Sequence, residues 1–244
     1  MRVASRAGSP PFEWTDPATW APVLRGAGAV FVAYSPDLAA PGAPEVVTDL
    51  ARAALEAGAG RLVLLSGRGE VEAQRAEARV RALAPDLVVV RASFFMQDFD
   101  EKFLLGQVRA GLVRLPVDAV REPFVDVEDV ADVASAALLG ARHAGATYEV
   151  TGPQLLTFRE ALACIAAATG RPVRHEQVPV ETYRRELEEQ HLPAEVVDLL
   201  AYLFTEVLDG RGEHLGHGVQ DALGRPPRSF ADYVHRVAAT GAWG

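Results

Sequence analysis

One cysteine and one lysine stand among 244 residues. The lone Cys164 excludes a disulfide within the chain and suits a reducing compartment. The lone Lys102 leaves arginine to carry nearly all positive charge, and it excludes any mechanism that needs two lysines. Positive charge is scarce altogether: 24 Lys and Arg against 33 Asp and Glu give a formal net charge of -9. Nucleic acid is therefore not the expected partner, because its phosphates call for a basic patch. No apolar run reaches the roughly 18 residues of a membrane span. The opening MRVASRAGSPP lacks the apolar core of a signal peptide. These absences make a cytoplasmic protein the expectation, with no nucleic acid and no membrane as partner, and they leave room for a homodimer.

What is present is a large core. Hydrophobic residues make up 49% and charged residues 23% of the chain, enough for one α/β domain with a smaller appended lobe. The chain is organised around 61–99. RLVLLS reads as a buried strand, GRGE as a loop, VEAQRAEARVRAL as a helix, and APDLVVVRASFFMQDF as a second buried strand with an aromatic-lined turn. Short apolar runs between polar breaks suit a parallel sheet covered on both faces. Ala73, Ala76, Val80 and Leu83 recur at helical spacing between them. A β-α-β unit places its functional edge at the carboxyl ends of its strands, here Ser66-Gly67 and Arg91 to Phe94.

Around that unit, strands are expected at Arg2–Ser5, Ala29–Ala33, Leu112–Leu115, Pro123–Val125, Thr147–Thr151 and Val173–Val178, with a short edge strand at Phe12–Trp14. Helices are expected from Asp16-Pro17 to Leu24, over Pro44–Ala57, Glu101–Arg109 and Asp126–Leu139, and in the tail. Thr157 and Glu160 spell a capping box, and Ser229 with Asp232 caps a final helix. Residues 1–151 are expected to form a Rossmann-type domain. Residues 152–244 are expected to form a mostly helical substrate lobe crossed by a strand near 173–178.

Six pieces in one order carry a family resemblance: PFEWTDPATWAPVLRGAGAVFV, RLVLLSGRG, VVRASFFMQDF, PFVDVEDVADVASAAL, YEVTGPQLLTFREA and LGRPPRSFADY. The chain resembles the NmrA-like, atypical short-chain dehydrogenases, and within them the branch of ergot-alkaloid, festuclavine-type dehydrogenases. The resemblance implies an α/β fold with a doubly wound, mostly parallel Rossmann-type sheet. It also implies NAD(P)H binding and reduction of a small molecule of iminium, enone or quinone type. One departure stands out. The family opens with a β-α unit carrying a Gly-x-x-Gly-x-x-Gly loop, whose glycines and following helix receive the pyrophosphate. Here nothing precedes RVAS, so the first β-α unit is read as missing and NADP (NADPH) as poorly held. In the doubly wound order its strand would lie between Arg2–Ser5 and Ala29–Ala33. That gap is expected to be open, closed up or filled by another chain, or to reflect a start placed too late.

The resemblance assigns Ser5, Arg6, Ser35, Pro36, Ser66, Gly67 and Phe94 to the cofactor, and Phe95, Asp98 and His217 to the substrate. Arg6 would suit the 2′-phosphate of NADP, as an arginine at the end of this strand does. Ser66 falls where ordinary short-chain dehydrogenases keep a catalytic serine. The partner Tyr-x-x-x-Lys cannot exist, because the residue four before Lys102 is Asp98. Ser66 is therefore given to cofactor contact or loop capping, and no catalytic residue is assigned. Of Phe94 and Phe95, one is expected to face the cleft and the other to be buried. Asp98 could act as an acid or cap a helix. His214 and His217 form H-x-x-H without a third ligand at metal spacing, so no metal is expected. His143, His175, His191 and His235 read as surface or linker histidines, and Cys164 as core. Against the reductase reading stand a non-catalytic NmrA-like nucleotide sensor or partner-binding protein, and a cofactor-free enzyme reusing the cleft.

Overall fold

The computed structural model describes residues 2–101 and 103–244. Lys102, expected within a helix over Glu101–Arg109, lies outside the described residues. Contacts divide the chain into two compact units: Met1–Arg91 with Val133–Tyr148, and Ala92–Asp132 with Glu149–Gly244.

Strand β1 is Val30–Val32, β2 is Leu62–Gly67 and β3 is Val88–Ala92. After β4, Leu112–Leu115, comes β5, Thr147–Val150, and then β6, Arg174–Gln177. The larger sheet runs β1-β2-β3-β5. β1 and β2 are parallel in the register Val30↔Leu62, Phe31↔Val63, Val32↔Leu64. This is the mostly parallel, helix-covered α/β sheet expected of the sequence. β4 and β6 form a separate parallel pair.

In the first unit α1 is Trp20–Leu24, α2 is Ala43–Glu56 and α3 is Val71–Leu83. Val47, Leu50, Ala51 and Ala54 form one buried face of α2. They share an aliphatic core with Leu62 and Leu64 of β2 and Val89 of β3. Each Val or Leu among them contributes about 1.5–3 kcal/mol on burial. Ala73, Ala76 and Val80 of α3 are buried as the periodicity predicts, but Leu83 is exposed and Glu77 is buried in its place.

The second unit holds α4, Leu105–Ala110; α5 begins in it at Val127 and runs to Leu139. α6 is Phe158–Thr169, α7 Val180–Glu189, α8 Ala194–Tyr202, α9 Gly218–Leu223 and α10 Phe230–Ala238. Thr157 makes the expected capping box, its hydroxyl accepting from the Glu160 N–H while Glu160 reaches back to the Thr157 N–H. Ser229 caps α10 through the Asp232 N–H.

Three expected strands are absent. Arg2–Ser5 is not a strand, because its polar groups are used locally. The Ser5 carbonyl accepts from the N–H groups of Gly8 and Phe12, and the Arg2 guanidinium donates to the carbonyls of Pro22, Val23 and Arg25 at the end of α1. Val3 is 70% exposed. β1 is thus the last strand of its sheet among the described residues, and the expected pair flanking a gap does not form. Phe12–Trp14 is not a strand either: Phe12 is buried and Trp14 packs edge-on to it. Pro123–Val125 reduces to bridges, Val125 exchanging hydrogen bonds with Phe94 and Met96.

Two histidines read as surface are buried. His143 lies against Tyr148, 2.7 Å from its hydroxyl to Nδ1. His175 faces inward from β6, with Asp118 3.4 Å from its Nδ1. Burial holds both rings below the ordinary histidine value. Cys164 is half-buried against the aromatic core of the second unit.

Candidate functional site

The carboxyl ends of β1 and β2 carry the chemistry of the first unit. β1 runs into Tyr34-Ser35-Pro36-Asp37, with a cis Ser35-Pro36 peptide bond. Ser35 and Pro36 are exposed, while Asp37 is half-buried and caps the turn through the Ala39 N–H at 2.7 Å. β2 runs into Ser66-Gly67-Arg68-Gly69-Glu70. Gly69 needs its glycine, since φ is +74°.

The Ser66 hydroxyl is buried and donates to Glu77 Oε1 at 2.6 Å. Glu77 in turn takes Arg91, whose Nε donates to Oε1 at 3.0 Å. Ser66 is thereby committed to a buried Ser-Glu-Arg chain. Glu70 is 8% exposed and hydrogen-bonded to Asp37. One of its oxygens, Oε2, is buried with no hydrogen-bond partner. Burial first, then the charge of Asp37, their hydrogen bond and the charge of Glu77 push Glu70 up to about 9. Asp37 is raised too, by burial, although hydrogen bonds from Ala39 and Glu70 work the other way. At neutral pH the pair therefore holds a proton on Glu70, donated to Asp37.

Gly67 is the seat for this carboxyl. A Cβ placed on Gly67 would lie 1.8 Å from Glu70 Oε1 and 2.2 Å from its carboxyl carbon. The space at the end of β2 is filled by the chain's own carboxyl rather than left as a cradle for an anion.

In the second unit the turn after β3 is built around Gln97. Its amide donates to Asp126 Oδ1 at 2.9 Å, and its Oε1 accepts from the Val127 N–H at 2.9 Å. Asp126 is fully buried. Burial raises its carboxyl, but Arg236, donating at 2.6 Å, the Glu128 N–H and Gln97 outweigh that and leave it below the ordinary value. The Phe94 N–H points at Glu122 Oε1, 3.3 Å away. Phe94 is half-buried and packs on Phe158 and Phe204 at centroid distances of 6.1 and 5.6 Å. Phe95 is also half-buried, so the expected split between one buried and one cleft-facing ring does not occur. The turn that carries both is held by backbone pairing with Val125. Asp98 is half-buried in the single turn Met96–Phe99. His217 is exposed, just before α9. Gly218, the first residue of α9, lies against the backbone of Glu149 too closely for any side chain.

Of the residues assigned to the cofactor, Ser5, Arg6, Ser35 and Pro36 are exposed, while Ser66 and Gly67 are engaged by Glu77 and Glu70. The acid pair itself escaped sequence reasoning. GRGE reads in the sequence simply as a loop, and nothing there marks Asp37 or Glu77. The signal available was a carboxylate shortly after each of two adjacent parallel strands.

A family model described as the NmrA-like family matches residues 12–214. The Prestalk A differentiation protein A of Dictyostelium discoideum is 26% identical over 228 residues, covering 91% of this chain and 74% of that protein. Agroclavine dehydrogenase of Claviceps fusiformis is 29% identical over 265 residues, covering 95% of this chain and 86% of the enzyme. The NADPH-dependent quinone oxidoreductase of Escherichia coli, solved with NADPH, superposes with a TM-score of 0.78 at 16% identity, over 93% of this chain and 82% of that one. That last likeness is one of fold.

Proposed function

The chain belongs to the NmrA-like family, and from that premise we propose that it is an NAD(P)H-dependent oxidoreductase acting on a small organic molecule of iminium, enone or quinone type. The observation that carries the reading is the family match itself, which runs through both units. It is supported by a dehydrogenase relative aligned over most of both chains. It is supported too by the fold shared with a quinone oxidoreductase.

In this conformation the residues present do not fit a dinucleotide. Phosphates need free N–H groups and a backbone that can approach closely. At the end of β2 the hollow over Gly67 holds the Glu70 carboxyl, and Asp37 adds a second acid. The roles therefore fall to the chain's own groups. Phe94 and Phe95 wall a flat ring, with 152–244 as the substrate lobe and Asp98 and His217 at its polar margin. Arg6, exposed and without a committed partner element, is the group to favour NADPH over NADH. Arg6→Ala should erode that preference and leave NADH affinity nearly unchanged, as equilibrium titration with both nucleotides would reveal.

The decisive assay follows NADPH or NADH consumption by the purified chain against a panel of enones, quinones and cyclic iminium ions. Substrate-dependent oxidation is the expected outcome. A second reading, a nucleotide-sensing protein without turnover, is favoured by the missing Tyr-x-x-x-Lys relay and by the likeness to a differentiation protein. Nucleotide binding without consumption across the whole panel would select it.

A further inference from the structure

The turn after β1 and the loop after β2 are joined by two acids. Glu70 is 8% exposed; its carboxyl folds back over Gly67 and is hydrogen-bonded to Asp37. Asp37 is fastened to its own turn by the Ala39 N–H at 2.7 Å. Two carboxyls in contact share a hydrogen bond only while one of them holds a proton. Glu70 Oε2 is buried with no hydrogen-bond partner, so no donor on that side steadies an ionised carboxylate.

The same side chain has a second place to go. Glu70 is the N-cap of α3, with an extended backbone at φ -93° and ψ 115°, yet its side chain makes no cap hydrogen bond. A carboxylate is favoured at a helix amino-terminus, where backbone N–H groups and the helix dipole meet it. The neutral acid gains much less there.

We propose that Glu70 and Asp37 form a pH-operated latch: with its proton in place the Glu70 carboxyl closes over Gly67 and ties the turn 34–37 to the loop 66–70, and without it the side chain leaves for the amino-terminus of α3 and the two segments part. The latch needs no ligand and stands apart from the oxidoreductase reading. The acids set against Glu70 are Asp37 from the turn after β1 and Glu77 from α3. Glu77 is itself held by Ser66 of β2 and Arg91 of β3, and Arg68, also buried, lies two residues before Glu70 in its own loop.

Burial and both neighbouring acids disfavour an ionised Glu70, so the closed carboxyl keeps its proton up to about pH 9. Swung into water, it ionises in the ordinary carboxylate range. Opening therefore releases a proton between those limits. The open fraction rises by up to about tenfold per pH unit across that window and levels off above about 9.

Amide hydrogen exchange of the full chain, from about pH 6 to about pH 10 and corrected for the intrinsic exchange rate, reads the two segments directly. In the wild type, protection of 34–40 and 66–71 should fall by up to about tenfold per unit and then level off near pH 9, while α10 in the second unit keeps its protection. Glu70→Gln retains a hydrogen-bonding side chain without the titrating proton, and should hold both segments closed across the range. Asp37→Asn removes the nearer charge, so the response should level off at a lower pH. Should the glutamine variant fold poorly, this second variant carries the test. Wild-type protection that does not change with pH would overturn the latch. So would a Glu70→Gln or an Asp37→Asn variant that follows the wild-type course.

Discussion

Asp126 in one unit and Glu70 in the other are buried carboxyls in opposite company. In the second unit two fully buried acids meet arginine: Asp126 takes Arg236, and Asp129 takes Arg225 at 2.7 Å and Arg228. In the first, Glu70 meets two more acids, Asp37 and Glu77. The result is a carboxyl below its ordinary value in one unit and one at about 9 in the other. A paired buried charge is a fastening, here of residues 225–236 onto the start of α5. An acid buried among acids survives only by staying protonated, which makes it a group that responds to pH. The cores differ in the same sense. The first unit is packed mostly with Val, Leu and Ala, and the second around the rings of Phe94, Phe99, Phe124, Phe158, Phe204 and Phe230.

The largest effect should come from the aromatic core. Phe158 is 1% exposed and touches the rings of Phe94, Phe99, Phe124 and Phe204. Phe158→Ala should cost about 3–5 kcal/mol, read by denaturant unfolding. A loss below that of an ordinary surface change would mean the second unit is not held by these rings. Next comes Gly67→Ala, which evicts the Glu70 carboxyl and should cost about 1–3 kcal/mol. The same unfolding experiment would register it.

The pH response separates the units more sharply. Glu70 keeps its proton in the fold up to about 9 but ionises in the ordinary range when unfolded. The unfolded chain then holds fewer protons through that window, so this contribution is whole below the ordinary carboxylate value and is lost as pH rises toward 9. The slope should approach but not exceed about 1.4 kcal/mol per pH unit. Asp126 has the opposite sign: its contribution is present above the ordinary value and is lost on acidification. Melting curves across pH should show a Glu70→Gln variant flattening the alkaline side alone. A change confined to the acid side would reverse the assignment. The smallest effect is expected of Thr157→Ala, which opens the capping box of α6 for about 1 kcal/mol. A thermal midpoint unchanged from wild type would show that the box is not holding that helix end.

Much of the fold was legible because it is local. The apolar runs of β2 and β3, the periodicity of α2 and α3, and the caps at Thr157 and Ser229 follow from side-chain spacing and short-range hydrogen bonds, and all appear where expected. Membership in the NmrA-like family was legible too, from six pieces in one order. What tertiary structure alone decided is which polar groups meet. Arg2–Ser5 has the short apolar centre of a strand in Val3 and Ala4, yet no partner strand reaches it among the described residues, and its arginine is drawn to carbonyls about twenty residues on. Glu77 lies within one turn of three small apolar positions and looks like a solvent residue, until Ser66 and Arg91 from two neighbouring strands converge on it. Glu70 reads as the end of a glycine loop. Only the parallel pairing of β1 with β2 brings Asp37 beside it, and only the missing side chain at Gly67 gives its carboxyl somewhere to go. Spacing along a chain fixes faces and ends of elements. The protonation of a buried acid depends on neighbours tens of residues away, and those are set by how the strands align.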